Sequence, residues 1–290
     1  LKLSTIHAPD GSALARELHL RPGVGVAAHV LQGRGLRILR MRVDLPALIL
    51  VDRGIKTVKP ARGTSVRAQP RQALVLSGNQ TVDFTNLVNE GAQYEARWLL
   101  FDTELLEDAH YAARIAQLDR TGSQVPPVRQ LSKVSPGLAD AFERARQALA
   151  PDPALPDAVA RQRVLEVMHW LLEDGLALRC APVDASVSIS VRALIAGRLD
   201  QDWAAARVAD ALAMSEATLR RRLAAEGASM TALIVDARMA TALTLLQATT
   251  QPVSEIARAV GYDSPSRFAV RFRERFGFAP TSVRGHERAD

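Results

Sequence analysis

The segment Ser254–Arg284, SEIARAVGYDSPSRFAVRFRERFGFAPTSVR, constrains this chain more than any other. It reads as two short helices at a sharp turn, then a closing helix. Ile256, Ala257 and Val260 make a small apolar face, with Ser254 placed to cap the first helix and Glu255 in its first turn. Gly261 ends that helix and gives the turn its backbone freedom. Ser264 is placed to cap the next helix, with Pro265 at its first position, where the missing N–H costs nothing. From there Phe268, Val270, Phe272 and Phe276 alternate with Arg267, Arg271, Arg273 and Arg275. A small helix, a glycine turn and an arginine-rich helix are the sequence form of a helix-turn-helix.

An arginine-rich amphipathic helix pair is, by itself, also an ordinary solvated surface. A second copy favours the helix-turn-helix. Val208, Ala209 and Leu212 repeat the small apolar face, Ser215 stands for Ser264, Leu219 for Phe268, and Arg220–Arg222 fall where Ala269–Arg271 fall. Ala209 to Ser215 is one residue shorter than Ala257 to Ser264, so the second turn is the longer one. Ala213 occupies the place of Gly261, which predicts a different backbone solution for the first turn. Both basic helices run into a glycine, Gly227 and Gly277. Between the copies, residues 229–247 form one helical run with Leu233, Ile234, Ala237, Leu243, Leu245 and Leu246. At ~1.5 Å per residue such a helix spans on the order of 25–30 Å, close to the ~34 Å that separates successive major-groove faces.

Charge agrees with a polyanionic partner: the formal net charge is +6 and the sequence pI near 10.1. The basic residues are nearly all arginine, with lysine only at Lys2, Lys56, Lys59 and Lys133. Cys180 is the sole cysteine, which excludes an intrachain disulfide and a cysteine-rich zinc site. No apolar run reaches membrane-spanning length, and the first residues lack a secretory pattern. The expectations that follow are a trimmed N-terminus, a cytoplasmic location and no membrane partner.

Residues 1–102 look β-rich. Apolar runs at Gly23–Val30, Leu36–Val43, Ala47–Val51, Ser65–Ala68, Ala73–Leu76, Thr81–Phe84 and Tyr94–Phe101 are separated by Gly, Pro and Asn breakers, Asn89-Glu90-Gly91 among them. Short strands at that spacing predict a sandwich or barrel able to hold a ligand. The six histidines, His7, His19, His29, His110, His169 and His286, are far apart, and none lies between Ala47 and Phe101. No His-x-His pair or G-x-S-x-G motif is present. The expectation is no metal, no cofactor, no catalytic residues and no enzyme. Residues 103–180 read as a helical extension, with helices over Glu104–Leu118, Gly137–Leu149 and Asp157–Leu178 and a loop over Gly122–Pro136. Val159, Val164, Leu165, Met168, Leu171 and Leu172 share a face of the third helix, for packing on the barrel or on a second subunit. Arg179–Ser186 reads as a linker, and residues 187–285 as a helical domain.

The last hundred residues resemble the DNA-binding domain of AraC/XylS-type transcription regulators. Three features carry the resemblance: Arg238, Ala242, Leu245 and Leu246 in the bridging helix; Ile256-Ala257 and Gly261-Tyr262; and Phe268, Phe272, Phe276-Gly277, Pro280 and Arg284. The β-rich half resembles that family's cupin-like effector or dimerisation domain. The implied fold is α+β, a cupin-like β-barrel with a helical extension and then an all-α domain of two helix-turn-helix motifs joined by a long helix. The resemblance implies a DNA-binding transcription regulator. Ser215, Ala217, Thr218, Arg220 and Arg221 of the first motif, and Ser264, Ser266, Arg267, Ala269, Val270, Arg271 and Arg273 of the second, are its DNA-facing positions. Leu219, Phe268, Phe272 and Phe276 are core. Ala269 and Val270 cannot hydrogen-bond bases, so the first motif is expected to read them while the second anchors phosphates, Arg273 foremost. Implied partners are double-stranded DNA, a second copy of the chain, RNA polymerase and a small-molecule effector. A protein partner, or a dimer without ligand, is the alternative for the N-terminal half. Effector, operator and the sign of regulation are not legible.

Overall fold

The computed structural model describes residues 16–88, 93–120, 126–181, 186–196 and 198–284. His7, His286, the Asn89-Glu90-Gly91 breaker and residues 182–185 of the expected linker lie outside them. The chain divides into two compact units, with a boundary after Ala181.

The first unit holds β1 (Glu17–Arg21), β2 (Gly25–Gln32), β3 (Leu36–Val43), β4 (Ala47–Arg53), β5 (Ile55–Pro60), β6 (Val66–Ala68), β7 (Ala73–Leu76), β8 (Gln80–Leu87), β9 (Tyr94–Phe101) and β10 (Val128–Leu131). They form two antiparallel sheets, β1-β2-β9-β4-β7-β10 and β3-β8-β5-β6. The sheet-rich N-terminal half holds, but as an open two-sheet sandwich rather than the expected closed barrel.

Alternation along the strands decides which residues line each face. Ala28, Val30, Ile49, Val51, Leu74, Leu76 and Ala96 of the larger sheet pack with Val43, Val58, Ala68 and Val82 of the smaller one. The opposite face of the larger sheet, with Ala27, Leu48, Leu50, Val75, Leu99 and Phe101, is covered by helices. These are α1 (Thr103–Leu106), α2 (Ala109–Asp119), α3 (Pro136–Leu149) and α4 (Asp157–Glu173). Ser135 caps α3 by accepting from Leu138 N, with Pro136 in its first turn. Phe142, Ala145, Val164, Met168 and Leu171 join the sheet's core, the four larger of these buried side chains contributing ~1.5–3 kcal/mol each. The extension therefore shares its core with the sheet.

Several boundaries differ from the sequence reading. The expected helix over Glu104–Leu118 breaks before Asp108, whose carboxylate accepts from His110 N and Tyr111 N and starts α2 as a new helix. The expected loop before Pro136 contains β10, which pairs with β7. Helix α4 stops at Glu173 rather than Leu178, because Gly175 at φ 70 turns the chain. Val159 is exposed, off the buried face. Arg179 and Ala181 are held on the sandwich by Gly78, whose N–H donates to Arg179 O and whose carbonyl accepts from Ala181 N. They are therefore not linker.

The second unit holds α5 (Val187–Ile195), α6 (Ala205–Ala211), α7 (Glu216–Ala225), α8 (Met230–Ala248), α9 (Val253–Ala259), α10 (Pro265–Phe276) and a closing 3-10 helix, Pro280–Arg284. Among the described residues no single helix is long and apolar enough to cross a membrane.

Candidate nucleic-acid interface

The α9–α10 pair is built much as its residues dictate. Ile256, Ala257 and Val260 are buried, and Gly261 takes φ 83 at the turn. There Gly261 N donates to Arg258 O and Tyr262 N to Ala257 O, closing the helix. A Cβ on Gly261 would stand 2.5 Å from Leu199 O, so the site demands glycine twice over. Ser264 caps α10 by accepting from Arg267 N, with Pro265 in the first turn, and Gly277 at φ 80 ends it. Ser254 does not cap α9. The helix begins at Val253 behind Pro252, which places Ser254 inside its first turn, while Glu255 is in that turn as expected. Phe268, Phe272 and Phe276 are buried along one side of α10, the Phe272 and Phe276 ring centroids 4.7 Å apart.

The α6–α7 pair repeats this in detail. Val208 and Ala209 are buried, Ser215 accepts from Thr218 N to cap α7, and Leu219 and Leu223 are buried beneath it. The expectation of a different first turn fails. Ala213 adopts φ 52, Ala213 N donates to Asp210 O and Met214 N to Ala209 O, the same bonds at the same spacing as at Gly261. Ala213 is exposed, so its side chain meets no obstacle and only the left-handed backbone opposes it.

Helix α8 ties the two pairs together. Ser229 accepts from Ala232 N at its start. Asp236 accepts from Arg192 of α5 at 3.2 Å and from Arg275 of α10 at 2.8 Å. Arg238 donates to Leu199 O and Gln201 O and lies over the Tyr262 ring at 5.6 Å. Thus one turn of α8 touches the first pair's supporting helix and the second pair's turn and recognition helix. Glu226, at the end of α7, accepts from Ser186 Oγ, Val187 N and Ser188 N at the start of α5. Desolvation opposes its charge, but those hydrogen bonds prevail and hold its carboxyl down at about 2.

Comparison with known proteins agrees with this geometry. Residues 208–286 match the family model described as "Helix-turn-helix domain". The transcriptional regulator SirC of Salmonella typhimurium is 39% identical over 89 residues, 31% of this chain and 30% of that protein. The HTH-type transcriptional regulator GadX of Escherichia coli is 34% identical over 123 residues, 42% of this chain and 45% of that protein. The chain carries an AraC-family helix-turn-helix domain. It matches less than half the length of either relative. Over the whole fold, ToxT from Vibrio cholerae superposes with a TM-score of 0.59 at 14% identity, covering 89% of this chain and 97% of ToxT.

In the AraC-family domain the expected DNA-facing residues divide by exposure. Ser215, Ala217, Arg220 and Arg221 on the first motif, and Ser266, Arg267, Val270, Arg271 and Arg273 on the second, are exposed. Val270 is 58% exposed, conspicuous for a valine on a helix whose other large apolar residues are buried. Thr218, Ser264 and Ala269 are half-buried. The Ser215 and Ser264 hydroxyls are occupied in capping, and Ser215 Oγ also bonds Thr218 Oγ1 at 3.0 Å. Arg220 pairs with Glu216 at 3.4 Å and Arg271 with Glu274 at 2.8 Å, both on exposed surface where such pairs exchange readily.

The first unit holds one cluster that sequence spacing did not reveal. His29, Asp52 and Glu95, from neighbouring strands β2, β4 and β9, bring one potential ligand atom each within 4.8 Å of one another. His29 Nε2 lies 2.8 Å from Glu95, Arg53 pairs with Glu95 at 3.2 Å, and Arg97 holds both oxygens of Asp52. A cation there would compete with guanidinium groups already in place. The arrangement is that of an ion-pair network.

Proposed function

We propose that this chain is a sequence-specific regulator of transcription that binds double-stranded DNA through both helix-turn-helix motifs and takes a small-molecule effector in its N-terminal unit. The duplicated, capped helix pair joined through Asp236 and Arg238 is the observation that carries the first part. Helix α8 has 19 residues, which at ~1.5 Å each is about 28 Å, near the rise of one duplex turn. Two basic helices on such a spacer suit adjacent major-groove segments on one side of the duplex. Arg220 and Arg221 offer bidentate donors to guanine edges or phosphates. Arg267, Arg271 and Arg273 offer phosphate contacts, and Val270 an apolar surface for a thymine methyl. ToxT structures have been solved with an unsaturated fatty acid and with (E)-4-(8-methylnaphthalen-1-yl)but-3-enoic acid bound. They favour an apolar organic acid as effector here. A second copy of the chain and RNA polymerase complete the reading as partners.

Selection of bound duplexes from a random pool, followed by footprinting of the winner, tests the DNA part. Two protected segments about one helical turn (~10 bp) apart on one face are expected. No enrichment over random sequence would refute it.

A further inference from the structure

A chain of polar contacts joins the end of α7 to the end of α10. Glu226, behind the last turn of α7, accepts from Ser186 Oγ at 2.6 Å, Val187 N at 2.7 Å and Ser188 N at 2.9 Å, which ties that helix to the start of α5. Val191 and Ile195 of α5 share a buried core with Leu219 and Leu223 of α7, so the two helices form one packed body. In the last turn of α5, Arg192 Nη2 donates to Asp236 Oδ2 of α8 at 3.2 Å. Arg275 Nε, in the last turn of α10, donates to Asp236 Oδ1 at 2.8 Å.

The Asp236 carboxylate gives one oxygen to each guanidinium. Its side chain is 22% exposed, that of Arg192 19% and that of Arg275 16%. Pairs this sheltered are screened less than surface pairs. Charge-assisted hydrogen bonds are also directional, whereas apolar contact tolerates sliding. The best-attested use of a sheltered ion pair is accordingly register rather than stability. Without the carboxylate the two guanidinium groups would repel across the gap it fills and push α5 and α10 apart. Arg238, two residues on, supplies a separate brace to Leu199 O, Gln201 O and the Tyr262 ring, so the unit keeps a tie between its motifs when Asp236 is neutralised.

We propose that Asp236 is a positioning residue. With Arg192 and Arg275 it fixes the separation and angle of α7 and α10, and thereby the one spacing between two DNA segments that the chain accepts. The consequence for DNA rests on the reading above; the fixed geometry of the two helices does not. Two linked binding modules gain from joint engagement only where the linkage matches the spacing of their sites. One inserted base pair moves the second segment by about 3.4 Å along the duplex and turns it by about 35°. A rigid pair of helices cannot follow both movements. A loosened pair can, with a weaker gain on the matching duplex.

Affinity of the full chain for three duplexes tests this: the selected duplex, the same duplex with one base pair inserted between the protected segments, and one that keeps only the first segment. Insertion should weaken wild-type binding about tenfold or more. Asp236→Asn should bind the selected duplex several-fold more weakly, yet lose less than about threefold on insertion. On the single-segment duplex the two proteins should agree within about twofold, which a merely destabilised unit would not show. If Asp236→Asn does not fold, Arg192→Gln, which opens one arm, must narrow the insertion penalty. A full insertion penalty in the folded variant, or an equal loss on all three duplexes, overturns the role.

A measurement without DNA separates this inference from the DNA reading. Spin labels at the exposed positions Ala224→Cys of α7 and Glu274→Cys of α10, in a Cys180→Ser background, report the distance between the two helices. The distance distribution with Asp236 intact should be narrow, and Asp236→Asn should broaden it or shift it outward. Identical distributions overturn the positioning role whatever happens on DNA. A wild type that selects a duplex yet tolerates the insertion overturns this inference alone. A chain that selects no duplex but shows the broadening overturns only the DNA reading.

Discussion

The two helix-turn-helix pairs reach one backbone with different residues. At the second turn Gly261 meets a left-handed φ of 83 and a carbonyl that leaves no room for a Cβ. At the first turn Ala213 meets nearly the same φ requirement, 52, but in open solvent. The hydrogen bonds that close the turn are the same in both. The motif is therefore specified by the helix-closing bonds and the apolar faces behind them. Glycine is enforced only where another segment of the backbone, here Leu199, comes close. The recognition helices differ in another way. Exposed Val270 on α10 has no counterpart on α7, where Arg221 takes that place.

Substitutions can break this comparison. The largest effect is expected at Gly261→Ala, which adds a left-handed alanine and a clash with Leu199 O. It should destabilise the second unit by about 2–4 kcal/mol in denaturant unfolding. A loss no larger than that of an exposed surface substitution would mean the turn can relax. Next in size, Arg220→Ala should weaken binding to the selected duplex by ~1–3 kcal/mol and relax its base preference. Smallest is Ala213→Gly, which removes backbone strain without removing any packing and should stabilise the unit by about 0.5–1 kcal/mol. If Ala213→Gly destabilises, the two turns are not equivalent.

How much was legible follows from where the information lies. Strands β3, β7 and β9 could be read to the residue because Leu36–Val43, Ala73–Leu76 and Tyr94–Phe101 are apolar-rich runs set between breakers. Strand β10 could not. Val128–Leu131 is four residues behind Pro126-Pro127, and only its pairing with β7 makes it a strand. Strand β1 likewise reads as polar until β2 pairs with it. The caps at Ser215 and Ser264 were legible from residue type and spacing, whereas Ser254 has the right type but lies past a start that Pro252 sets. Ala213 was misread because its conformation is imposed by the bonds around it and not by its own preference. Neither His29–Asp52–Glu95 nor Arg192–Asp236–Arg275 was visible, since each joins residues from separate elements.

The central claim is that the two motifs act as one reader with divided roles, the first on bases and the second on phosphates. Salt titration of DNA affinity tests it most directly, comparing wild type, Arg220→Ala and Arg273→Ala on the selected duplex and on a scrambled one. The account predicts that Arg273→Ala weakens both duplexes alike and lowers the slope of log affinity against log salt by about one. It predicts that Arg220→Ala narrows the gap between the two duplexes. A sequence-specific loss in Arg273→Ala with the slope unchanged would contradict it.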